Sequence, residues 1–433
     1  MNAIAPITLS LEPFAARLSD VKGEDRKAAA GALARTGLPT PRVEAWHYTN
    51  LRALSGRVFA DAPVGFDEAA AQAALTRILP PDAAIAALPR LVLVNGRFAP
   101  SLSSTDLPEG VSCTSFVQSP DFGILASPDR EGMVALNTAL ADDGVQITVA
   151  PGKQAGQLVL VSLALGTDSD VSFHPRHSIT LGEGASLSVI EIAASENAGA
   201  YLHNPVLTCA IAEKAHLTHV KIQQEAENAV HLATVYADIA VRAAYDSFTL
   251  GLGSVLARHE VHATMHGNHA AVHVNGAQLL AASQVGDITS VIAHAAPDCI
   301  SRQTVRNVLS DHSRAVFQGK VLVERVAQKT DGYQMNQALL LSPSAEINAK
   351  PELEIYADDV KCSHGATVGA LDDDQLFYLR SRGIPDDQAR QMLVEAFLVE
   401  TVELVEDETL RTVLHQTLAT ALSQRVGAAE KTA

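Results

Sequence analysis

The chain has 433 residues, 47% of them hydrophobic and only 4% aromatic, and its formal net charge is −17. Such a length exceeds one compact core, and a core poor in aromatic rings must be filled by Val, Leu, Ile and Ala, which suits thin layers of β-branched side chains. The acidic balance, with no dense Lys/Arg cluster, excludes nucleic acid as an expected partner because phosphate backbones are repelled.

In chain order, residues 1 to about 90 read mainly as helix. The alanine-rich stretches 25–35 and 67–79 favour it, since alanine loses little side-chain entropy there, and Pro39 and Pro41 interrupt the pattern. Trp46, the only tryptophan, lies in TPRVEAWHYTNL (40–51) and reads as a packing anchor. LVLVNGRF (91–98) reads as a strand entering an Asn-Gly turn. The opening segment lacks a basic stretch followed by an unbroken apolar run, and no apolar segment of about 20 residues follows, so neither a secretory leader nor a membrane span is expected. Cys113, Cys209, Cys299 and Cys362 are scattered without a CxxC, which suits a reducing cytoplasm.

From about residue 145 short β-like segments recur. They begin near residues 185, 201, 215, 231, 244, 257, 270, 283, 299, 313, 333 and 344, so two segments make a repeat of about 30 residues. Small polar turns separate them: GEGAS (182–186), AEKAH (212–216), VRAAYDS (241–247), HGNHA (266–270), SDHSRA (310–315) and SPSAE (342–346). Polarity alternates within the segments. Val220 and Ile222 oppose His219 and Lys221, and Leu353 and Ile355 oppose Glu352 and Glu354, which predicts one buried and one wet face. Even spacing favours a β-helix-like solenoid; an antiparallel sandwich is the alternative.

After residue 370 the pattern turns helical. Asp372, Asp373 and Asp374 suit a helix N-terminus, Gly383 a C-terminal turn, and Pro385 the start of the next helix. Ala389, Met392, Leu393, Ala396 and Phe397 form a stripe at helical spacing, a last helix is expected over 407–425, and the tail GAAEKTA should fray. These helices are expected to cap the open last strand. The chain thus divides into a mainly helical region 1–140, a β core 141–365 and a helical region 366–433.

Chemistry concentrates in YADDVKCSHGATVG (356–369). Cys362 and His364, one residue apart on an extended backbone, point the same way and offer thiolate and imidazole donors that suit iron–sulfur clusters or zinc. Two ligands do not complete a four-ligand site, so any further ligands must come from another chain. Asp358 and Asp359 lie beside them. His259, His262, His266, His269 and His273 read as solvated surface residues; HExH is not HExxH. GxxxxGK[ST], a complete GxGxxG and GxSxG are absent, so no nucleotide chemistry is expected of this chain.

The stretches TPRVEAWHYTNL, VFQGKVLVERVAQKTDGYQMNQALLLS (316–342), KPELEIYADDVKCSHGATVG (350–369) and LFYLRSRGI (376–384) resemble the SufB/SufD family of iron–sulfur cluster assembly proteins. CSHGATVG is the SufD-like form; the sister SufB reads closer to HEATTS. The resemblance implies a mainly β protein, a right-handed parallel β-helix flanked by N- and C-terminal helical domains. It further implies a non-enzymatic scaffold that pairs with SufB through the β-helix, docks the ATPase SufC through the C-terminal helices, and shares a transient iron–sulfur cluster with SufB at His364 and Cys362. A homodimer of the isolated chain is a further possibility it leaves open. The competing readings are a β-helix carbohydrate-active enzyme and a SufB-type sulfur-accepting scaffold.

Overall fold

The computed structural model describes residues 8–79, 83–167 and 170–432, with side chains described for residues 10–424 of these. The first seven residues of the leader reading lie outside them. Alanine-rich sequence forms the helices Glu24–Thr36 and Glu68–Ile78, the first ending at Gly37 and the second capped by Asp67. Asn95 and Gly96, both with positive φ, turn the strand Arg90–Val94 into Arg97–Phe98.

The rest of the chain winds into a parallel β-solenoid of two facing sheets. Sheet I runs through Val145–Val149, Arg176–Leu181, Val206–Ile211, Ala229–Ile239, Leu256–Met265, Val285–His294, Arg314–Val323 and Glu346–Ile355. Sheet II runs through Gln154–Leu165, Ser186–Glu196, His216–Gln224, Ala244–Gly251, Ala271–Leu280, Ile300–Leu309, Asp331–Leu340 and Lys361–Gly369. Successive strands alternate between the sheets, so each stacks on the strand two back: Ile300 on Ala271, Asp331 on Ile300, Lys361 on Asp331. The repeat near 30 residues is therefore one solenoid turn, and the sandwich alternative falls because the stacked neighbours are parallel. Strand onsets lie within two residues of those expected.

The turns explain the period. Gly184, Lys214, Arg242, His269 and Asp298 have positive φ, and each is followed by a buried small residue: Ala185, Ala215, Ala243, Ala270 and Cys299. The left-handed residue reverses the chain, and the small side chain after it fits beneath the adjacent turn.

Both outer faces are covered. The N-terminal helices pack Phe14, Leu33, Trp46, Leu51 and Leu136 on Leu202, Val230, Leu232 and Leu256 of sheet I. Arg258 lies over the Trp46 ring at 4.3 Å, Gln318 donates to the Ala45 carbonyl at 3.1 Å and Lys350 pairs with Glu44 at 2.9 Å. Trp46 is thus an anchor, but onto the solenoid rather than within a helical domain alone.

The C-terminal helices Asp373–Ser381, Asp386–Val402 and Glu408–Thr432 cover sheet II. Val394, Leu398, Val402, Leu410, Leu414 and Leu418 pack on Val220, Ile222, Phe248, Leu250 and Val308, each large apolar side chain contributing about 2 kcal/mol of burial. Asp372 caps the first of these helices and Gly383 follows it with φ +87. The second helix starts one residue after Pro385. Its buried face is Ala389, Val394, Leu398 and Val402, rotated from the expected stripe: Met392 is exposed, and Phe397 lies partly buried beside the Arg306 guanidinium. The backbone of the last helix continues into the tail expected to fray; the side chains there lie outside the described residues.

Two expectations fail for the same reason. The helices do not cap the last strand; they lie along the side of sheet II, where Val220, Ile222, Phe248, Leu250 and Val308 give them an apolar face. That same coverage inverts the polarity of the middle strands. Val220 and Ile222 face outward against the helices, whereas His219 and Lys221 point into the solenoid and are buried. Glu191 meets both there: it pairs with Lys221, and its Oε2 lies 3.0 Å from His219 Nε2.

Burial holds interior imidazoles neutral: His177, His231 and His294 are pushed from about 6.5 down to about 4. A lowered imidazole leaves stability intact above pH 6.5 and removes it as pH falls toward 4, about 3 kcal/mol per group, because only the unfolded chain takes the proton. Asp142, raised by burial to about 6, acts in the opposite sense over part of that range. The urea midpoint should therefore fall between pH 6.5 and 4, with net proton uptake on unfolding at pH 5. A midpoint that rises over this interval would contradict the neutral interior.

Candidate functional site

The strand Lys361–Gly369 ends sheet II and stacks only on Asp331–Leu340; among the described residues no strand pairs with its other edge. Cys362 lies beside Gly332, and His364 beside Gln334. Alternation turns both side chains to the inner face. Cys362 is half-buried against Val321, Val323, Ala327 and Ala357. Its Sγ lies 3.3 Å from where a β-carbon on Gly332 would sit, so glycine there leaves room for the thiol. His364 ends an inner column that runs Ser247, Val274, Gln303, Gln334, His364. Gln303 and Gln334 are fully buried, whereas His364 is exposed because no further turn lies over it.

The two donors come as a pair and stay a pair. Among the described residues no third His, Cys or carboxylate joins Cys362 and His364 within reach of one ion. Their α-carbons, two residues apart on a strand, are separated by about 6.6 Å. Asp359 is engaged in a turn: it pairs with Lys329, and its N–H donates to Gln328 at 3.0 Å. That fixes the approach to the last strand and makes Asp359 structural.

The histidine run does not form one surface. His259 is buried inside the solenoid, contrary to the solvated reading; it lies on the inner face whose polarity the sequence pattern had assigned to solvent. Arg258 and Glu260, between which it sits, point to the opposite face and pair with each other at 2.8 Å. His262 bonds Glu260, His273 bonds Asp246, and His266 and His269 are exposed. A constellation the sequence reading missed lies deeper, where His203, Glu225 and His231 meet. Its members are spread over 29 positions on three segments, and only the turn period brings them together.

Burial raises the Cys362 thiol above 9.0, with Asp331 acting the same way against a backbone hydrogen bond from Gly332. In the isolated chain it should therefore alkylate with an apparent pKa above that of a free thiol, measured as the rate of iodoacetamide labelling against pH. An apparent pKa of about 8 or lower would show an activated thiolate instead.

Comparison with known proteins bears on this geometry. Residues 164–397 match the family described as "SUF system FeS cluster assembly, SufBD core domain", and residues 12–161 match the "SufBD protein N-terminal region". The chain is 36% identical over 382 residues to the iron-sulfur cluster assembly protein SufD of Escherichia coli K12, covering 88% of each. It is 33% identical to a SufBD family protein of Synechocystis, covering 88% of this chain and 86% of that one. Protein ABCI7, chloroplastic, of Arabidopsis thaliana is 34% identical over 240 residues, 55% of this chain and 50% of that protein. Matched by family models from residue 12 to residue 397 and 36% identical to SufD over 88% of each chain, the chain belongs to the SufB/SufD family of iron–sulfur cluster assembly proteins.

Proposed function

We propose that the chain is a non-catalytic scaffold subunit of a cytoplasmic iron–sulfur cluster assembly complex, and that its open solenoid end pairs with a SufB-type partner to complete the site where a nascent cluster forms. The observation that carries this reading is His364: a metal-ligating side chain at the one end of the inner column that no turn covers. The surrounding surface has the character of an interface. Leu341, Ile355, Tyr356 and Val368 are 39–57% exposed around the two last strands, and an unpaired strand edge is a template for a second strand. A partner seated there supplies the missing ligands and shields the cluster from water. Cys362 and His364 then act as half of a shared pocket, and the cluster is cargo rather than a resident group. The same surface would support a homodimer when the partner is absent. No helix among the described residues is long and apolar enough to cross a membrane.

A second surface supports docking of a SufC-type ATPase. On the helix Asp373–Ser381 only Leu376 is buried, while Phe377 and Tyr378 are 74% and 56% exposed. Aromatic side chains on an otherwise polar helix suit the anchor positions of a protein interface. A nucleotide-driven change in the ATPase would act on this helical region and, through the packed face of sheet II, on the solenoid.

In the complex reconstituted anaerobically with iron and sulfide, His364→Ala should lower retained cluster absorbance about tenfold without loss of the partner. Wild-type absorbance in that variant would remove His364 as a ligand. The double substitution Phe377→Ala/Tyr378→Ala should weaken ATPase binding by about 2 kcal/mol, roughly 30-fold, in a titration of the purified subunits. Unchanged affinity would move that interface elsewhere.

A further inference from the structure

The interior triad lies far from the terminal strand. His203 ends the strand Tyr201–His203, Glu225 follows His216–Gln224, and His231 stacks beside His203 in parallel register. From His231 the register passes through Ala257, Gly286 and Ala315 to Ile347 in the last strand of sheet I. Four strand spacings make about 19 Å. One ligand atom from each of His203, Glu225 and His231 lies within 4.8 Å of the others. All three side chains are 1% exposed. His203 Nδ1 is 3.0 Å from Oε1 of Glu225 and His231 Nδ1 is 2.7 Å from Oε2, with the two rings edge to face at 4.7 Å.

Hydrogen bonding does not satisfy this cluster. His231 Nδ1 contacts the carboxylate at 2.7 Å, but Nε2 of His203 and Nε2 of His231 lack partners. Each such buried group costs about 1–3 kcal/mol. Nor is the charge balanced by a fixed cation. Lys221 is engaged with Glu191, and Arg258 with Glu260 and Asp287, so both of these buried basic groups are taken by other carboxylates. Meanwhile the carboxylate is firmly oriented. Tyr201 donates to Oε1 and Gln223 to Oε2, each at 3.1 Å, the kind of outer contacts that hold a metal-binding carboxylate in place.

From this geometry we propose that His203, Glu225 and His231 bind a divalent first-row transition ion, such as Fe(II) or Zn(II), inside the solenoid. Two imidazole nitrogens and a carboxylate oxygen are the donor set these ions take, and the open positions would be filled by water. Donors at about 2.1 Å from a tetrahedral ion stand about 3.4 Å apart, so the two histidine–carboxylate contacts of 3.0 and 2.7 Å open by less than an ångström on binding, and all three donors already lie within 4.8 Å. A groove of about 450 Å³ beside the last helix reaches Gln224, Glu225 and Gly253 without exposing the triad side chains, so an ion enters on local opening or during folding.

Cobalt(II) is the probe. The purified full-length chain, stripped with chelator, is loaded with Co(II) either as the folded protein or during refolding, then gel-filtered. We expect about one Co(II) per chain, with ligand-field bands of a nitrogen–oxygen site and no thiolate charge-transfer band. Glu225→Gln and His231→Asn should each lower occupancy about tenfold, while Cys362→Ala/His364→Ala should leave it unchanged. Absence of bound Co(II) in the wild-type chain by both routes, a thiolate band, or full occupancy in Glu225→Gln and His231→Asn would overturn the site. Should either interior variant fail to fold by circular dichroism, the wild-type chain decides: its thermal midpoint must rise with Co(II), and an unchanged midpoint overturns the proposal.

Discussion

In a parallel solenoid each turn completes the hydrogen bonds of the turn before it. The backbone of Asp331–Leu340 is satisfied because Ile300–Leu309 lies on one side and Lys361–Gly369 on the other. This dependence governs the rest of the molecule. It fixes the 30-residue period, places a reversing residue followed by a small one at turns such as Lys214–Ala215 and His269–Ala270, and aligns inner side chains into columns. It also guarantees that the last turn remains incomplete. The chemistry attributed to this protein sits where that ladder stops. A side chain such as His364 is exposed there without a loop or cleft being built for it, simply because the column to which it belongs has no next member.

The C-terminal helices make this arrangement workable. They leave the end open and cover the side of sheet II, so the solenoid has apolar layers both inside and outside that sheet. With its outer face already buried, a strand can turn polar residues inward, and Glu191, His219 and Lys221 occupy the interior as a mutually neutralising group. Buried ion pairs are poor sources of stability, since desolvation consumes most of the attraction. Their retention here is best understood through position: they set a polar stratum among layers of Val, Leu and Ile, next to the imidazoles of His203, His231 and His259.

Much of this was legible in the sequence. The turn residues and the even spacing disclose the solenoid, because a reversing residue and a small buried neighbour are local requirements. That Cys362 and His364 share a face is legible because residues two apart on a strand point the same way. What sequence alternation conveys is which residues share a face, not which face is inside. Val220 and Ile222 look like core and are core, but to the helices rather than to the solenoid, and the same alternation puts the interior His219 on the face read as wet. The triad of His203, Glu225 and His231 was invisible because its members are adjacent only through the stacking of turns, and the direction of the C-terminal helices because both the open end and the sheet side offered them apolar surface.

The clasp made by the segment around Trp46 sets an order of events in assembly. Thr49 bonds Asp287, 238 residues later; the Ala45 carbonyl accepts from Gln318, 273 residues later; and Glu44 meets Lys350, 306 residues later. During synthesis at about 5–20 residues per second, that segment has no complete docking surface for roughly 15–60 seconds after it is made. Closure entropy for so long a loop must be met before the contacts form, which marks the chain as a slow folder with a late final step. The beginning of the polypeptide is thus among the last parts to settle, and a ribosome-bound chain of about 300 residues still displays the apolar surface that this clasp will cover.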